Sequence, residues 1–231
     1  MTGVARGSQF ALPFGHRPSL GGTDFLVSSC NSDAVAWIDR WPDWPGPVLA
    51  LVGPPASGKT HLASVFAART GAVWVDLGQL AASAPAELAA SASPLIIDDA
   101  HSVAGNVGGE RALFHLINYL AGQTGRLLLG GGLAPARWNV RLPDLASRLN
   151  TLPVAEIGPP DDELMAALVV KLFADRQLQV GMDVVLFMVA RMERSFEAAS
   201  ALVAAIDARA LESRREVTVP LVREVMEEFQ D

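Results

Sequence analysis

The stretch Val48-Leu49-Ala50-Leu51-Val52-Gly53-Pro54-Pro55-Ala56-Ser57-Gly58-Lys59-Thr60 decides the fold. Its first five residues are a short apolar run of the kind buried on both faces of a parallel sheet. The next eight match G-x-x-x-x-G-K-[ST], and His61 to Thr70 then reads as a helix. Strand, glycine loop and helix in that order are what a phosphate-binding loop requires. The glycines let backbone N–H groups face phosphate oxygens, and the helix N-terminus adds positive potential. Gly53, Pro54, Pro55, Ala56, Ser57, Gly58, Lys59, Thr60 and His61 are therefore the expected nucleotide-binding residues. Lys59 would reach the outer phosphates and the Thr60 hydroxyl would bind Mg²⁺. The expected ligand is ATP or ADP with Mg²⁺.

Outward from this loop, further apolar runs at Ala72–Val75, Leu95–Ile97, Arg126–Leu129 and Val154–Ile157 read as buried strands. Helical patterns lie at Ser32–Trp41 and Glu110–Gly122. Strands alternating with helices predict an α/β fold with a parallel sheet. After Gly158-Pro159-Pro160 the strand signals stop. Asp161 is placed to cap a helix running to about Gln177. Helices at Asp183–Glu193, Ser195–Ser213 and Pro220–Phe229 follow. The predicted division is an extended tail at 1–22, a nucleotide-binding α/β core at 23–158 and a small helical lid at 159–231. There is no internal repeat.

Leu95-Ile96-Ile97-Asp98-Asp99 puts two carboxylates at the end of a hydrophobic strand, where ligands of parallel sheets sit. Asp98 is expected to hold Mg²⁺ through water, and Asp99 to polarise an attacking water. The plainer alternative is a pair of turn-capping aspartates.

Bulk properties narrow the function class. The chain has 231 residues, half of them hydrophobic, with one cysteine, Cys30. A sizeable core is expected, a disulfide framework is excluded, and no apolar run is long enough to span a bilayer. These features predict a soluble cytoplasmic protein. The formal net charge is −7, and Lys59 and Lys171 are the only lysines. A broad basic surface for gripping nucleic-acid phosphates is not expected.

The ordered set of a phosphate loop, an Asp-Asp strand end and a separate helical lid resembles an AAA+ ATPase. Further stretches resemble the DnaA-related proteins of that class, including their short Hda type. Phe114-His115-Leu116-Ile117-Asn118-Tyr119-Leu120 is similar to their F-H-x-x-N-x-L helix. Asp144-Leu145-Ala146-Ser147-Arg148-Leu149 resembles their arginine-finger segment, and Met192-Glu193-Arg194-Ser195-Phe196-Glu197 their sensor 2 motif. Asp24, Phe25 and Asn31 lie in a stretch that looks like their nucleotide-base segment. The resemblance spans about residue 20 to the C-terminus. It implies an AAA+ P-loop core with a helical lid, and it implies roles for two arginines. Arg148 would reach ATP held by a neighbouring molecule, where such a finger is worth about 10³–10⁵ in rate. Arg194 would reach back from the lid to the phosphates. The plainer alternatives are helix-surface pairs with Asp144 and Glu197.

Two departures from the wider family pattern stand out. The sensor 1 position at the end of the fourth strand reads Leu129-Gly130-Gly131-Gly132-Leu133 and offers no polar side chain, so weak intrinsic ATP hydrolysis is expected. No DNA-reading module is expected after the lid either. Near the start, Gln9-Phe10-Ala11-Leu12-Pro13-Phe14 resembles the peptide by which the Hda type engages the DNA polymerase III sliding clamp (its beta subunit). Gln9 would bond at the pocket rim, and Phe10, Leu12, Pro13 and Phe14 would occupy an apolar groove. An edge strand on the chain's own sheet is the alternative.

The resemblance thus implies a regulator of replication initiation. Its partners would be DnaA and the clamp, with DNA reached only through the clamp and self-association left open. The alternatives are an autonomous AAA+ ATPase acting on DNA, and a nucleotide-binding adaptor that bridges clamp and DnaA without catalysis.

Overall fold

The computed structural model of the chain describes residues 16–17, 25–90 and 94–228. Two short strands come first, β1 (His16–Arg17) and β2 (Phe25–Leu26), paired antiparallel. The core continues with α1 (Ser32–Asp39), β3 (Val48–Val52), α2 (Lys59–Thr70), β4 (Val73–Trp74), α3 (Leu77–Ala82), α4 (Pro85–Leu88) and β5 (Leu95–Ile97). It closes with α5 (Val107–Ala121), β6 (Leu127–Gly131), α6 (Pro143–Leu149) and β7 (Val154–Glu156). Four further helices form the lid: α7 (Asp162–Asp175), α8 (Met182–Val189), α9 (Phe196–Ser213) and α10 (Val219–Glu228).

The five-stranded sheet has the order β4-β5-β6-β3-β7, and every pairing in it is parallel. Strand β3 is flanked by β6 and β7, which is why all five of its residues are apolar and buried. The phosphate loop leaves its C-terminal end. The chain then crosses to the far edge to form β4, so the loop opens on the crevice where ligands of such sheets bind.

Strand β4 corrects one expectation. Ala72–Val75 reads as a buried strand, but Val73 and Trp74 are 43% and 39% exposed. The strand lies at the sheet edge, so of the stretch only Val75 is buried, with Ala72 partly covered. Apolar composition alone does not tell an edge from a centre.

Strand β2 joins core to lid. Phe25 packs with the core side chains around α1 and α2, while its neighbour Leu26 packs with the lid helices. Alternate residues of a strand point to opposite faces, so two residues suffice to bridge both clusters. The junction is reinforced where Ser29 Oγ donates to Asp161 Oδ2 at 2.8 Å. Asp161 also caps α7 as expected, accepting from the Leu164 N–H at 2.7 Å.

Candidate functional site

The loop has the geometry its composition calls for. Gly58 takes φ +91°, a left-handed conformation open to glycine, and α2 starts at the next residue. Gly53 is needed for close approach, because a Cβ there would lie 2.6 Å from the Ile157 carbonyl and 2.7 Å from Ser57 Oγ. That Ser57 hydroxyl is buried without a hydrogen-bond partner. Lys59 folds back over the loop, donating to the carbonyls of Gly53 at 3.0 Å and Pro54 at 2.7 Å. Its charge is thereby held at the mouth of the helix.

Thr60 and Asp98 meet although 38 residues separate them, with Thr60 Oγ1 donating to Asp98 Oδ2 at 2.6 Å. The other carboxylate oxygen accepts from the Asp99 N–H at 2.9 Å. A hydroxyl and a carboxylate beside a phosphate loop are hard oxygen donors, which suits a Mg²⁺ ion that keeps most of its waters. Asp99 follows in a left-handed conformation, φ 47°, and is exposed beside this pair.

Gly130, first of the three glycines in the stretch read as sensor 1, has a physical cause. Strand β6 runs on past Leu129 through Gly130 and Gly131. A Cβ on Gly130 would collide with Asp98 Oδ1 and come 3.2 Å from Asp98 Cα. Any side chain here would displace the carboxylate that holds Thr60. Sequence reasoning registers the missing side chain but not the collision.

Between core and lid lies a cleft of about 300 Å³. The phosphate loop from Ala56 to His61 forms one end, Phe25 and Leu26 one wall, and Leu168, Lys171, Leu172, Phe196 and Glu197 of the lid the other. Phe25 stacks on His61 with ring centroids 5.4 Å apart. The Phe196 ring stands 3.6 Å from where a Gly58 Cβ would be, so the lid touches the loop directly. Asn31 lies away from the cleft lining. Its amide bonds to the Leu26 carbonyl and its oxygen accepts from the Ser28 N–H, both at 2.9 Å, which fixes the turn from β2 into α1. Asp24 lies outside the described residues. Arg194 also stands outside the cleft lining and pairs with Asp162 at 2.7 Å, not with Glu197.

Arg148 sits at the opposite end of the sheet. It lines a cavity of about 320 Å³ with Pro47, Val48 and Pro153, at the beginnings of β3 and β7. Strand β3 separates this place from the phosphate loop by roughly 15 Å. The side chain is exposed, and among the described residues its guanidinium has no ion pair or hydrogen bond. The pairing with Asp144 does not form.

Glu110 is a residue sequence reasoning missed. It is only 1% exposed, yet it is fully engaged. Its carboxylate accepts from the backbone N–H groups of Gly105 at 2.8 Å, Arg141 at 2.9 and 3.0 Å, and Leu142 at 2.8 Å. Leu142 caps α6, the helix that carries Arg148. Burial pushes the Glu110 carboxyl up, but the donors from Arg141, Gly105 and Leu142 and the Arg141 charge outweigh it, leaving the carboxyl below its ordinary range. An acidic residue in the first turn of an apolar helix was the available signal. It also fits an ordinary helix-dipole contact.

The segment Gln9–Phe14 lies outside the described residues. No helix among the described residues is long and apolar enough to cross a membrane.

Residues 161–226 match the family described as the lid domain of Hda. The fold is similar to domain III of the Thermotoga maritima replication initiation protein DnaA, with a TM-score of 0.71 and 18% identity over 89% of this chain and 94% of that one. It is also similar to AMPPCP-bound DnaA from Aquifex aeolicus, with a TM-score of 0.65 and 17% identity over 81% of this chain and 65% of that one. A point mutant of Thermotoga maritima RuvB matches with a TM-score of 0.64 and 17% identity over 84% of this chain and 66% of that one.

Proposed function

We propose that this DnaA-related AAA+ protein of the Hda type restrains replication initiation by stimulating hydrolysis of DnaA-bound ATP. In this reading Arg148 acts in trans, as an arginine finger at the pocket of a neighbouring DnaA molecule. The observation that carries the proposal is the placement of Arg148. It is exposed, without a side-chain partner among the described residues, and at the end of the sheet away from its own phosphate loop. The Hda-type lid supports the same assignment.

The protein's own cleft binds ATP or ADP with Mg²⁺. The loop from Gly53 to Thr60 would hold the phosphates, the Thr60 hydroxyl would bind the ion and Asp98 would hold it through water. The bound nucleotide supplies phosphate charge to which core and lid both respond, so it works as a conformational switch. Intrinsic hydrolysis is weak because Gly130 offers no polar group beside Asp98. Glu110 acts through α6, fixing the start of the helix that presents Arg148. The segment Gln9–Phe14 docks on the sliding clamp, which brings the protein to DNA in the cytoplasm.

The test follows hydrolysis of DnaA-bound ATP in the presence of clamp-loaded DNA. Wild-type protein accelerates it, and Arg148→Ala lowers the stimulation about a thousandfold. Stimulation unchanged in Arg148→Ala overturns the finger role and leaves the adaptor reading. Clamp titration with the Gln9→Ala, Leu12→Ala double variant tests the docking segment, and equal binding by the variant and wild type refutes it.

A further inference from the structure

The lid wall of the cleft carries a polar group that the phosphate end does not explain. Lys59 and Lys171 are the only lysines in a chain whose other basic side chains are arginines, apart from histidine. Both line the same cleft, Lys59 from the loop and Lys171 from α7. Leu168, Lys171 and Leu172 occupy spacings i, i+3 and i+4, which form one face of a helix. The Lys171 stem therefore runs along an apolar wall with the ammonium at its end, the usual arrangement of an amphipathic side chain. The ammonium donates to Asp175 Oδ2 at 3.1 Å. Asp175 is 56% exposed, and a solvent-exposed i,i+4 pair of this kind is weak. A ligand acceptor competes with it easily. Glu197, on the same lid wall, supplies an acceptor to complement this donor.

We infer that Lys171 is the lid's polar contact to the sugar or base end of a bound nucleoside di- or triphosphate. The inference rests on the nucleotide reading of the cleft and deepens it. Phosphates gathered at Lys59 leave the rest of the nucleotide to run between Phe25 and Leu26 on one side and Leu168 and Leu172 on the other. Among the described residues, the one lysine ammonium along that course is that of Lys171. Through it the lid reads whether the cleft holds a whole nucleotide or a phosphate chain alone.

The experiment is a calorimetric titration of the full chain with two probes, ADP and inorganic tripolyphosphate, both with Mg²⁺. Wild type is compared with Lys171→Met, which keeps the stem and removes the charge, and with Lys171→Arg. Unfolding of each without ligand serves as the folding control. Lys171→Met is expected to bind ADP about tenfold more weakly than wild type and tripolyphosphate equally well, with Lys171→Arg restoring part of the ADP affinity. Unchanged ADP affinity in Lys171→Met overturns the assignment. Equal weakening toward both probes also overturns it, because that reports only a distant charge. Wild type that binds neither probe overturns the nucleotide reading itself, and this inference with it.

Discussion

The two ends of the five-stranded sheet are built on opposite plans. At the C-terminal end of β3 the polar groups of the site, the Ser57 hydroxyl excepted, hold one another. Lys59 bonds to its own loop, Thr60 bonds to Asp98, and Asp98 bonds to the Asp99 N–H. At the N-terminal end Arg148 stands exposed, and its guanidinium has no partner among the described residues. A site whose members hold one another is preorganised for a small ligand of its own. An arginine left open at a surface is free to meet a group carried by another molecule, which is the role proposed for Arg148. Under the proposed function, this contrast would let one chain hold a nucleotide at one end of the sheet and offer an arginine to another molecule at the other.

That contrast breaks most visibly if the ends prove to be coupled. Arg148→Ala is expected to lower stimulation of DnaA about a thousandfold. Lys59→Ala is expected to weaken this protein's own ADP binding about a hundredfold, through loss of charge-assisted phosphate contacts. If Arg148→Ala weakens ADP binding as much as Lys59→Ala does, the two ends are one site and the separation fails. Gly130→Ala sharpens the phosphate end. Its methyl must displace Asp98, so the variant is expected to lose about 2 kcal/mol of stability, as overpacked cores do. It should also lose the Mg²⁺ dependence of ADP binding. A variant with wild-type stability and wild-type Mg²⁺ dependence would show that Asp98 moves aside without consequence.

The phosphate end was legible in sequence because its chemistry is local. Eight consecutive residues set the loop, and Asp98-Asp99 announces itself at a strand end. The lid was legible because Asp161 and Ser195 cap helices with clear apolar faces, accepting from Leu164 and Ala198. What sequence did not disclose depends on tertiary approach. Val73 and Trp74 are exposed because the chain crosses to the sheet edge, which no local pattern records. Gly130 looks like a lost side chain until Asp98 is found in its place. Asn31 sits in a stretch resembling a base-binding segment, yet its amide is occupied by Leu26 and Ser28. Arg194, just before α9, pairs with Asp162 of α7, whereas sequence spacing pointed to Glu197.

Glu110 tests the other end, and its effect is the most specific. Its carboxylate gathers three backbone N–H groups, two of them immediately before α6. Glu110→Gln keeps the shape but turns an amide NH₂ toward at least one of those donors, so at pH 7 it is expected to cost about 2 kcal/mol of stability. The folded-state pKa of Glu110 is lowered from an ordinary 4.5. Its contribution is therefore complete above that value, where the carboxyl is ionised in both states. As pH falls below 4.5 the unfolded chain takes up its proton first, and the contribution disappears as pH drops through the lowered folded value. Urea unfolding of wild type and Glu110→Gln across this range should show the gap between them narrowing only below pH 4.5. A gap that stays constant into acid would mean that packing, not the carboxylate, holds the start of α6. Stimulation of DnaA by Glu110→Gln, measured where the variant is fully folded, then reads how closely Arg148 depends on that anchor. A loss smaller than that of Arg148→Ala but clearly present is the expected result, because Glu110 acts only through the helix.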